Sequence, residues 1–244
     1  MDFIKQEKWD SVYSNITFSK PRFNDQIRIF LQNYIPLRNG TCFEIGCYPG
    51  TYLSVLGEMG FQLNGIDLTP NTDTKLVEWL KSFDFNIGKI ERNDFLKCTN
   101  NIKYDLVVSF GFIEHFKDYG KIILKQSEMI KKGGFIVLTT PNLNRPFLYY
   151  LHKLFNPKTL KIHNICAMEP EKWKKIIENE GFEILFCGHF GYFNFWIENE
   201  SRGKFKRMLL SIFVKILPII SKILPRNNKS FSPYIGLVAK KINS

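Results

Sequence analysis

Short apolar runs alternate with longer segments of helical periodicity through most of this 244-residue chain, and no other feature constrains its fold as strongly. Apolar runs predict strands at 41–45, 63–66, 85–90, 104–109, 135–139, 182–187 and 235–240. Helical spacing of apolar residues predicts helices at 21–35, 52–59, 75–83, 119–130 and 170–179. Because strands that alternate with helices of about ten residues build βαβ units, the sequence predicts a doubly wound α/β fold with a mostly parallel sheet.

Two segments interrupt this alternation. Residues 141–169 are rich in asparagine, aromatic and basic residues and only weakly periodic, so they form either a cap over a site or a poorly ordered loop. Residues 204–224 are apolar and basic. We therefore divide the chain into a helical lead or cap at 1–40, a core at 41–200 that includes the cap segment 141–169, an amphipathic helical insertion at 201–230, and a last strand at 231–244.

The turn after the first predicted strand has the residues of a ligand-binding loop. It reads FEIGCYPGT over 43–51 and joins the strand to the next helix. Glycines at 46 and 50 let the backbone turn tightly and approach a ligand, and the helix N-terminus offers free N–H groups. The motif is weak by itself, because both glycines could serve only the connection between strand and helix.

Acidic residues stand at the ends of the next two strands. Asp67 closes the second strand, where a carboxylate can accept hydrogen bonds from both hydroxyls of a ribose. Asp94 and Phe95 follow the third strand. Open α/β sheets bind ligands beyond the carboxyl ends of their strands, so we expect these side chains and the glycine turn along one edge.

Together with YDLVVSF at 104–110 and KGGFIVL at 132–138, this order of motifs resembles the class I S-adenosylmethionine-dependent methyltransferases over about 41–142. The resemblance implies a Rossmann-like, seven-stranded sheet with an antiparallel last strand, and S-adenosyl-L-methionine as the cofactor. It implies that the first motif contacts the methionine part, that Asp67 holds the ribose, and that Asp94 and Phe95 face the adenine. The predicted cofactor residues are Glu44, Gly46, Cys47, Gly50, Asp67, Leu68, Asp94 and Phe95.

The glycine turn departs from the family pattern at one position. Tyr48 stands where the family's GxGxG loop has its middle glycine, and Pro49 follows it, so the detailed path of the loop is expected to differ. The rival class, a nicotinamide enzyme with a GxGxxG loop, would need glycine at 48 and also at 51, where Thr51 stands. The residues at 48 and 51 therefore argue more strongly against a nicotinamide enzyme than against a methyltransferase.

The segment FIEHF at 112–116 resembles the Glu-His segment after strand four in ubiquinone-pathway and in sugar or small-molecule O-methyltransferases. That resemblance implies an acceptor oxygen on a sugar, a lipid-linked glycan or an isoprenoid. In relatives of this subgroup that use a metal, a second Glu stands three positions before the Glu of this pair. Gly111 occupies that place here, so the resemblance predicts no required metal.

Methyl transfer from a sulfonium is an in-line displacement, and a general base is needed only when the acceptor atom carries a proton. His163, in the cap segment, and His115, in the Glu-His segment, are the candidate catalytic residues. A solvated loop position for His163 and a structural hydrogen bond for His115 are the alternatives. The aromatic run at 188–196, which includes His189, could form a stacking floor for an acceptor or a core hairpin.

The segment 204–224 predicts an amphipathic helix with a very wide apolar face. The chain carries a net charge of +11, and the last 44 residues contain ten basic and no acidic side chains. Because two lysines and Pro218 interrupt the apolar stretch, the pattern favours a helix lying on an anionic membrane over one crossing it. The alternative is that its apolar face packs on the domain or forms a homodimer. Pro218 is expected to kink or split this helix.

The cysteine pattern, the N-terminus and the distribution of charge bear on where the protein acts and on its partners. Five widely spaced cysteines without a CxxC pair and an N-terminus without a signal-peptide pattern favour a cytoplasmic protein, which could be peripheral at the inner membrane face. A nucleic acid suits the localised charge less well. An RNA methyltransferase and a non-catalytic membrane-docking module remain the alternatives from other functional classes.

Overall fold

The computed structural model describes residues 6–13, 16–36, 39–99, 101–197 and 203–242. Its strands are β1 (Thr41–Ile45), β2 (Gln62–Asp67), β3 (Ile87–Arg92), β4 (Tyr104–Phe110), β5 (Ile130–Pro141), β6 (Phe182–Phe190) and β7 (Tyr234–Lys241). Its α-helices are α1 (Gln6–Tyr13), α2 (Gln26–Tyr34), α3 (Thr51–Glu58), α4 (Lys75–Lys81), α5 (Tyr119–Glu128), α6 (Pro146–Phe155), α7 (Pro157–Lys161), α8 (Pro170–Asn179) and α9 (Lys204–Ile223). Short 3-10 helices cover Ile113–His115 and Ile165–Ala167.

The strands form one seven-stranded sheet in the order β3-β2-β1-β4-β5-β7-β6. Neighbours from β3 to β5 pair in parallel, and β7 pairs antiparallel with both β5 and β6. The predicted Rossmann-like α/β fold with an antiparallel last strand is therefore confirmed. Because the order reverses between β1 and β4, the loops after these strands diverge and open a crevice at their carboxyl ends.

The sheet is buried on both faces, which explains the continuous apolar runs in its strands. In β4, Leu106 and Val108 belong to the core beneath α2, α3 and α4, whereas Val107 belongs to the core beneath α5 and α8. Successive side chains of a strand point to opposite faces, so one short apolar run supplies both cores. This two-sided burial fixes where each strand ends and thus where the site loops begin.

Several predicted elements differ in their bounds. The helix expected at 21–35 begins at Gln26, because the Asp25 carboxylate caps it by accepting from the backbone N–H of Arg28 at 2.9 Å. The third strand lies two residues later than its predicted apolar run, and β5 extends on both sides of 135–139. The boundary predicted at 200/201 lies outside the described residues.

The cap segment 141–169 is helical, so the alternative of a poorly ordered loop was wrong. Pro146 and Pro157 each occupy the first turn of a helix, where a missing backbone N–H costs nothing. Weak apolar periodicity concealed these two short helices. The segment 204–224 forms α9, and the expected split at Pro218 was also wrong, because the helix continues through that residue.

Helix α9 packs on the domain along one side, which is one of the alternatives that the sequence left open. One stripe of the helix contributes to a small separate core, which we call the α6–α9 core; its buried members are Leu148, Phe155, Phe193, Phe195 and Leu210. Phe213 of α9 stacks on Phe155 of α6 with ring centroids 5.5 Å apart. Among the described residues, no helix combines the length and the hydropathy needed to cross a membrane.

Candidate functional site

A cavity of about 300 Å³ opens at the carboxyl ends of β1, β2, β3 and β4. Its walls are the loops after these four strands and the inner side of α1. All eight side chains or glycines predicted to bind the cofactor line it, namely Glu44, Gly46, Cys47, Gly50, Asp67, Leu68, Asp94 and Phe95. The fold thus brings together residues that are up to 51 positions apart in the sequence.

Two glycines shape the loop after β1. Gly46 has a φ of +72° and Gly50 a φ of +85°, a left-handed conformation that other residues rarely adopt. A Cβ atom at Gly46 would lie 2.8 Å from the Phe112 ring, and one at Gly50 would lie 2.3 Å from Cδ1 of Leu76. Both glycines are therefore required by conformation and by close packing, and Gly50 caps the N-terminus of α3.

Tyr48, the departure from the family loop pattern, supports the N-terminal segment. Its ring packs edge-on against Tyr13 of α1 and against Phe18, with centroid distances of 5.4 and 5.7 Å. Its backbone N–H donates to Oδ2 of Asp67 at 3.1 Å. A large ring at this position therefore joins the loop to the N-terminal segment without requiring a left-handed backbone.

Two carboxyl groups face the cavity from β1 and β2, the buried Glu44 and the partly buried Asp67. Asp67 also accepts from the backbone N–H of Thr69 at 2.8 Å, and burial raises the pKa of Asp67 despite these hydrogen bonds. Glu44 is 4% exposed and its Oε2 has no hydrogen-bond partner. Burial, with the charge of Asp67 second, raises the pKa of Glu44 well above its usual range. Such a pair needs donors or a positive group from a ligand.

The loop after β3 supplies a third acid and an apolar wall. Oδ1 of Asp94 accepts from the backbone N–H of Leu96 at 2.9 Å, which fixes the carboxylate at the rim of the cavity. Phe95 is buried, and its ring meets Phe112 edge-on at 6.0 Å between centroids. These two aromatic rings and the Asp94 carboxylate can hold a flat heterocycle with hydrogen-bonding edges.

The inner side of α1 was not predicted as part of the site. Gln6, Trp9 and Tyr13 line the cavity, and Trp9 stacks on Tyr13 at 5.4 Å between centroids. Gln6 Oε1 and Trp9 Nε1 are both buried and lack hydrogen-bond partners. The spacing of Gln6, Trp9 and Tyr13 at i, i+3 and i+7 in an otherwise polar lead was the available signal.

The two candidate catalytic histidines lie against each other, with ring centroids 4.8 Å apart. His115 lines the cavity, and His163 packs beside it from the cap segment. Nδ1 of His115 lies 2.9 Å from the carbonyl of Ile162, and Nδ1 of His163 lies 2.6 Å from that of Thr159. Burial lowers the pKa of His115 to about 3 and also lowers that of His163, so both rings are neutral at pH 7.

Glu114 completes this group, which we call the Glu-His cluster: Glu114, His115 and His163. The Glu114 carboxyl is fully buried and neither of its oxygens has a hydrogen-bond partner. Burial raises the pKa of Glu114 to about 8. One nitrogen or oxygen atom from each member lies within 4.8 Å of the others. The absence of a required metal, expected from Gly111, stays a prediction.

The remaining histidines lie elsewhere. His152 is buried in α6 between Phe195 and Trp196, with centroid distances of 4.7 and 4.6 Å. In the aromatic run 188–196, Phe190, Phe193 and Phe195 are buried in the cores. These three rings occupy core positions and not an open stacking floor, but β6 ends at Phe190 and residues 191–197 form no hairpin strand.

The family model described as a methyltransferase domain matches residues 20–185. A ubiquinone biosynthesis O-methyltransferase from Hydrogenovibrio crunogenus is 29% identical over 130 residues, which are 52% of each chain. The mitochondrial enzyme of that description from Dictyostelium discoideum is 24% identical over 164 residues, covering 63% of this chain and 50% of the relative. The chain thus spans about half the length of the curated relatives it matches.

Solved structures share the fold over most of their length. A SAM-dependent methyltransferase from Archaeoglobus fulgidus superposes with a TM-score of 0.55 at 22% identity, covering 88% of this chain and 93% of the other. Magnesium protoporphyrin IX methyltransferase from Synechocystis, with bound SAM, gives a TM-score of 0.55 at 14% identity over 97% and 90% of the two chains. With its strand order, its cavity and a family model that matches more than half of its length, the chain belongs to the methyltransferase domain family.

Proposed function

We propose that this protein is an S-adenosyl-L-methionine-dependent methyltransferase acting on a hydroxyl oxygen of a sugar, lipid-linked glycan or isoprenoid-type acceptor at an anionic membrane surface. One observation carries the proposal: the glycine loop, the Glu44 and Asp67 carboxyl groups and the His115 ring all line a single cavity. The matched relatives that are named as O-methyltransferases support the choice of oxygen.

The residues of the cavity fit the cofactor. When bound, it supplies a methyl group on a positively charged sulfur. The unpartnered Oε2 of Glu44 offers an acceptor for an ammonium group, and the Asp67 carboxylate retains acceptor capacity for ribose hydroxyls. The absence of side chains at Gly46 and Gly50 lets the backbone approach a ligand closely. Phe95 and Asp94 then suit the adenine, as the resemblance implies.

The histidine pair supplies a route for the acceptor proton. A hydroxyl group must lose its proton as the new carbon–oxygen bond forms, and a neutral imidazole can take it. His115 reaches the cavity wall, so we propose that it meets the acceptor, with His163 behind it as the second base. Closure of the cavity by α1 and the cap segment would align the hydroxyl oxygen with the methyl carbon.

The surface of α6 and α9 supports the membrane part of the proposal. Large apolar side chains of α9 remain exposed on the side away from the α6–α9 core, among them Phe205 at 67%, Ile219 at 60% and Ile223 at 74%. Exposed apolar side chains of α6, including Tyr150 at 64%, extend this surface. Lys215 and Lys222 lie exposed among them. Apolar side chains mixed with cations suit an interface of anionic lipids.

The cap segment connects that surface to the chemistry. It runs from the exposed residues of α6 through α7 to His163, which contacts His115 at the cavity. An acceptor that is partly embedded in the membrane would therefore meet the cap before it meets the histidines. This arrangement supports a lipid-linked or isoprenoid-type acceptor and a peripheral location at the inner face of a membrane as parts of the proposal.

Two measurements test the proposal. Isothermal titration with S-adenosylhomocysteine should give binding that weakens at least about tenfold in Asp67→Ala, whereas Asp73→Ala, an exposed acid nearby, should bind normally. With tritium-labelled cofactor and membrane extracts, label should enter the lipid fraction and require His115. Label in RNA instead would support the RNA methyltransferase, and binding without transfer to any fraction would support the non-catalytic module.

A further inference from the structure

A second cavity, of about 240 Å³, lies between α2 and the end of β6 and shares no lining residue with the cofactor cavity. We call it the α2–β6 cavity; its walls include Gln26, Tyr34, Phe186, Tyr192 and Arg226. Because β5 and β6 both pair antiparallel with β7, they run in the same direction. The end of β6 therefore lies at the same edge of the sheet as the cofactor cavity.

Gln26 contributes a polar atom that the folded chain leaves without a partner. The residue is 7% exposed, it lines the α2–β6 cavity, and its Oε1 accepts no hydrogen bond. A Cβ at Gly191 would lie 1.9 Å from that oxygen, so the amide packs into space that only a glycine leaves free. A buried carbonyl oxygen without a donor is unfavourable in free energy, and a ligand hydroxyl at this position would satisfy it.

Aromatic rings form the apolar part of the same wall. Tyr34 and Phe186 are only partly buried, with ring centroids 4.8 Å apart. Tyr192 belongs to the aromatic run 188–196 and is also partly buried, in contrast to Phe190 and Phe193 of that run. A sugar ring has apolar C–H faces and a rim of hydroxyl groups, so it suits a wall that combines aromatic rings with an amide.

Arg226 supplies a positive charge on the solvent side of the cavity. It is exposed, and its guanidinium lies 5.8 Å from the centroid of the Tyr192 ring. Among the residues that the structure describes, it forms no ion pair, and residues 201–244 include no acidic side chain. The next residue, Asn227, holds this segment in place, because its backbone N–H donates to the Gly191 carbonyl at 3.0 Å. A planar guanidinium with no carboxylate partner suits a carboxylate or phosphate of a ligand.

Tyrosine side chains connect the α2–β6 cavity with the cofactor cavity. Phe190, which lines the former, stacks on Tyr234 at 5.5 Å between centroids. Burial, followed by the charges of Asp25 and Tyr192, raises the pKa of Tyr234 to about 12. Burial, followed by the charge of Tyr234, raises the pKa of Tyr52, which lines the cofactor cavity. The hydroxyls of these three tyrosines thus lie near one another between the two cavities, where they can hydrogen-bond to a chain of sugar hydroxyls.

We propose that the α2–β6 cavity binds a sugar residue that carries a carboxylate or phosphate group and belongs to the acceptor glycan. Its ring lies against the aromatic wall, one hydroxyl donates to Oε1 of Gln26, and its anionic group pairs with Arg226. The inference rests on the proposed function for the origin of this sugar, and among the acceptors named there it selects the lipid-linked glycan. One residue of the glycan is then methylated beside His115 while another is held here.

The test uses the full chain and ligand-detected NMR titrations with glucuronate, glucose 6-phosphate and glucose. We expect at least one of the two anionic sugars to bind at least about tenfold more tightly than glucose, and the tighter of them identifies the anionic group. Arg226→Gln should abolish this preference. Gln26→Leu should weaken binding of the preferred sugar about fivefold, as expected for one lost hydrogen bond. Arg207→Gln removes an exposed arginine of α9 outside the cavity and should bind as the unchanged protein does.

Three results would overturn the site: glucose binding as tightly as both anionic sugars, an unchanged preference in Arg226→Gln, or inorganic phosphate binding as tightly as the preferred sugar. Binding of S-adenosylhomocysteine controls for folding and should be unchanged in all three variants. It also separates the two proposals. If the unchanged protein binds no S-adenosylhomocysteine but retains Arg226-dependent sugar binding, the proposed function fails and the sugar site stands. Normal S-adenosylhomocysteine binding without sugar binding would overturn the site alone.

Discussion

The indole of Trp9 stands edge-on to the imidazole of His115, with ring centroids 5.0 Å apart and ring planes at 82°. The contact joins the N-terminal helix to the loop after β4, so α1 forms a wall of the cavity and not merely a lead to the domain. Trp9 also contacts Tyr13, which lies on Tyr48 of the glycine loop. An aromatic series thus connects the N-terminal helix to the cofactor loop and to the candidate base.

Replacing Trp9 by alanine should open this wall. Loss of this large, partly buried ring beside the cavity is expected to weaken S-adenosylhomocysteine binding about tenfold, measured by calorimetry, because water enters the cavity and α1 loses its contact with His115. Phe23→Ala removes an aromatic ring that is 86% exposed and away from the cavity lining, and it should leave binding unchanged. Equal affinities of the two variants would contradict a binding role for α1.

Replacing Glu44 by glutamine should stabilise the ligand-free protein and weaken cofactor binding. The pKa of Glu44 is raised by burial, so the folded protein holds the proton more tightly than the unfolded chain. Its contribution to stability is full below the usual carboxyl pKa and is lost as pH rises toward the raised value. The variant should therefore unfold about 2–4 °C above the unchanged protein at pH 8, with little difference at pH 4, in thermal melts.

Alanine substitutions at Gly46 and Gly133 test whether the loop after β1 needs a glycine for close packing as well as for its conformation. Both have left-handed φ values, +72° and +80°, but a Cβ would meet Phe112 at 2.8 Å in the first case and nothing within 4 Å in the second. Gly133→Ala should cost about 1 kcal/mol of unfolding free energy from backbone strain alone. Gly46→Ala should cost about 1–3 kcal/mol more and abolish cofactor binding, as measured by denaturant titration and calorimetry.

His152 should make the protein less stable in mild acid. It is 1% exposed, and burial lowers its pKa from 6.5 to about 4, with the charge of His163 as a second cause. The unfolded chain then binds the proton more tightly, so stability is full above about pH 6.5 and falls as pH drops toward 4. His152→Gln should reduce this loss by about 1–3 kcal/mol between pH 7.5 and 4.5 in denaturant titrations. An unchanged pH profile would show that His152 is not the titrating group.

The exposed side of α9 can be tested with charge reversals. Lys215→Glu combined with Lys222→Glu should reduce flotation with phosphatidylglycerol vesicles at least about tenfold, because each cation near an anionic surface contributes roughly 1 kcal/mol. Lys172→Glu with Lys175→Glu makes the same charge change on exposed positions of α8 and should float normally. Equal flotation of both pairs of variants would remove the membrane part of the proposal. So would a dimer of the unchanged protein, measured by light scattering, that the α9 substitutions convert to a monomer.

Much of the fold and most of the predicted cofactor residues could be found from the sequence, because the local pattern of apolar residues marks the strands and the cofactor residues lie at the strand ends. Each strand run was found within a few residues, and Asp67 and Asp94 were recognised as acids at strand ends. The Glu-His segment was recognised as a motif and His163 of the cap as a candidate base, but their contact with each other was not predicted. The helices of 141–169 were missed because two short amphipathic pieces separated by prolines give little periodicity.

By itself, the sequence determined the order of the seven strands along the chain, the tight glycine turn after the first strand, and the cationic character of the C-terminal region. These properties depend on residues close together in the chain. Only the tertiary structure decided that Trp9 covers His115, that His163 joins Glu114, and that one stripe of α9 packs against α6 while the remainder stays exposed. Such contacts join residues distant in sequence, and they depend on how the layers pack around the sheet rather than on any local pattern.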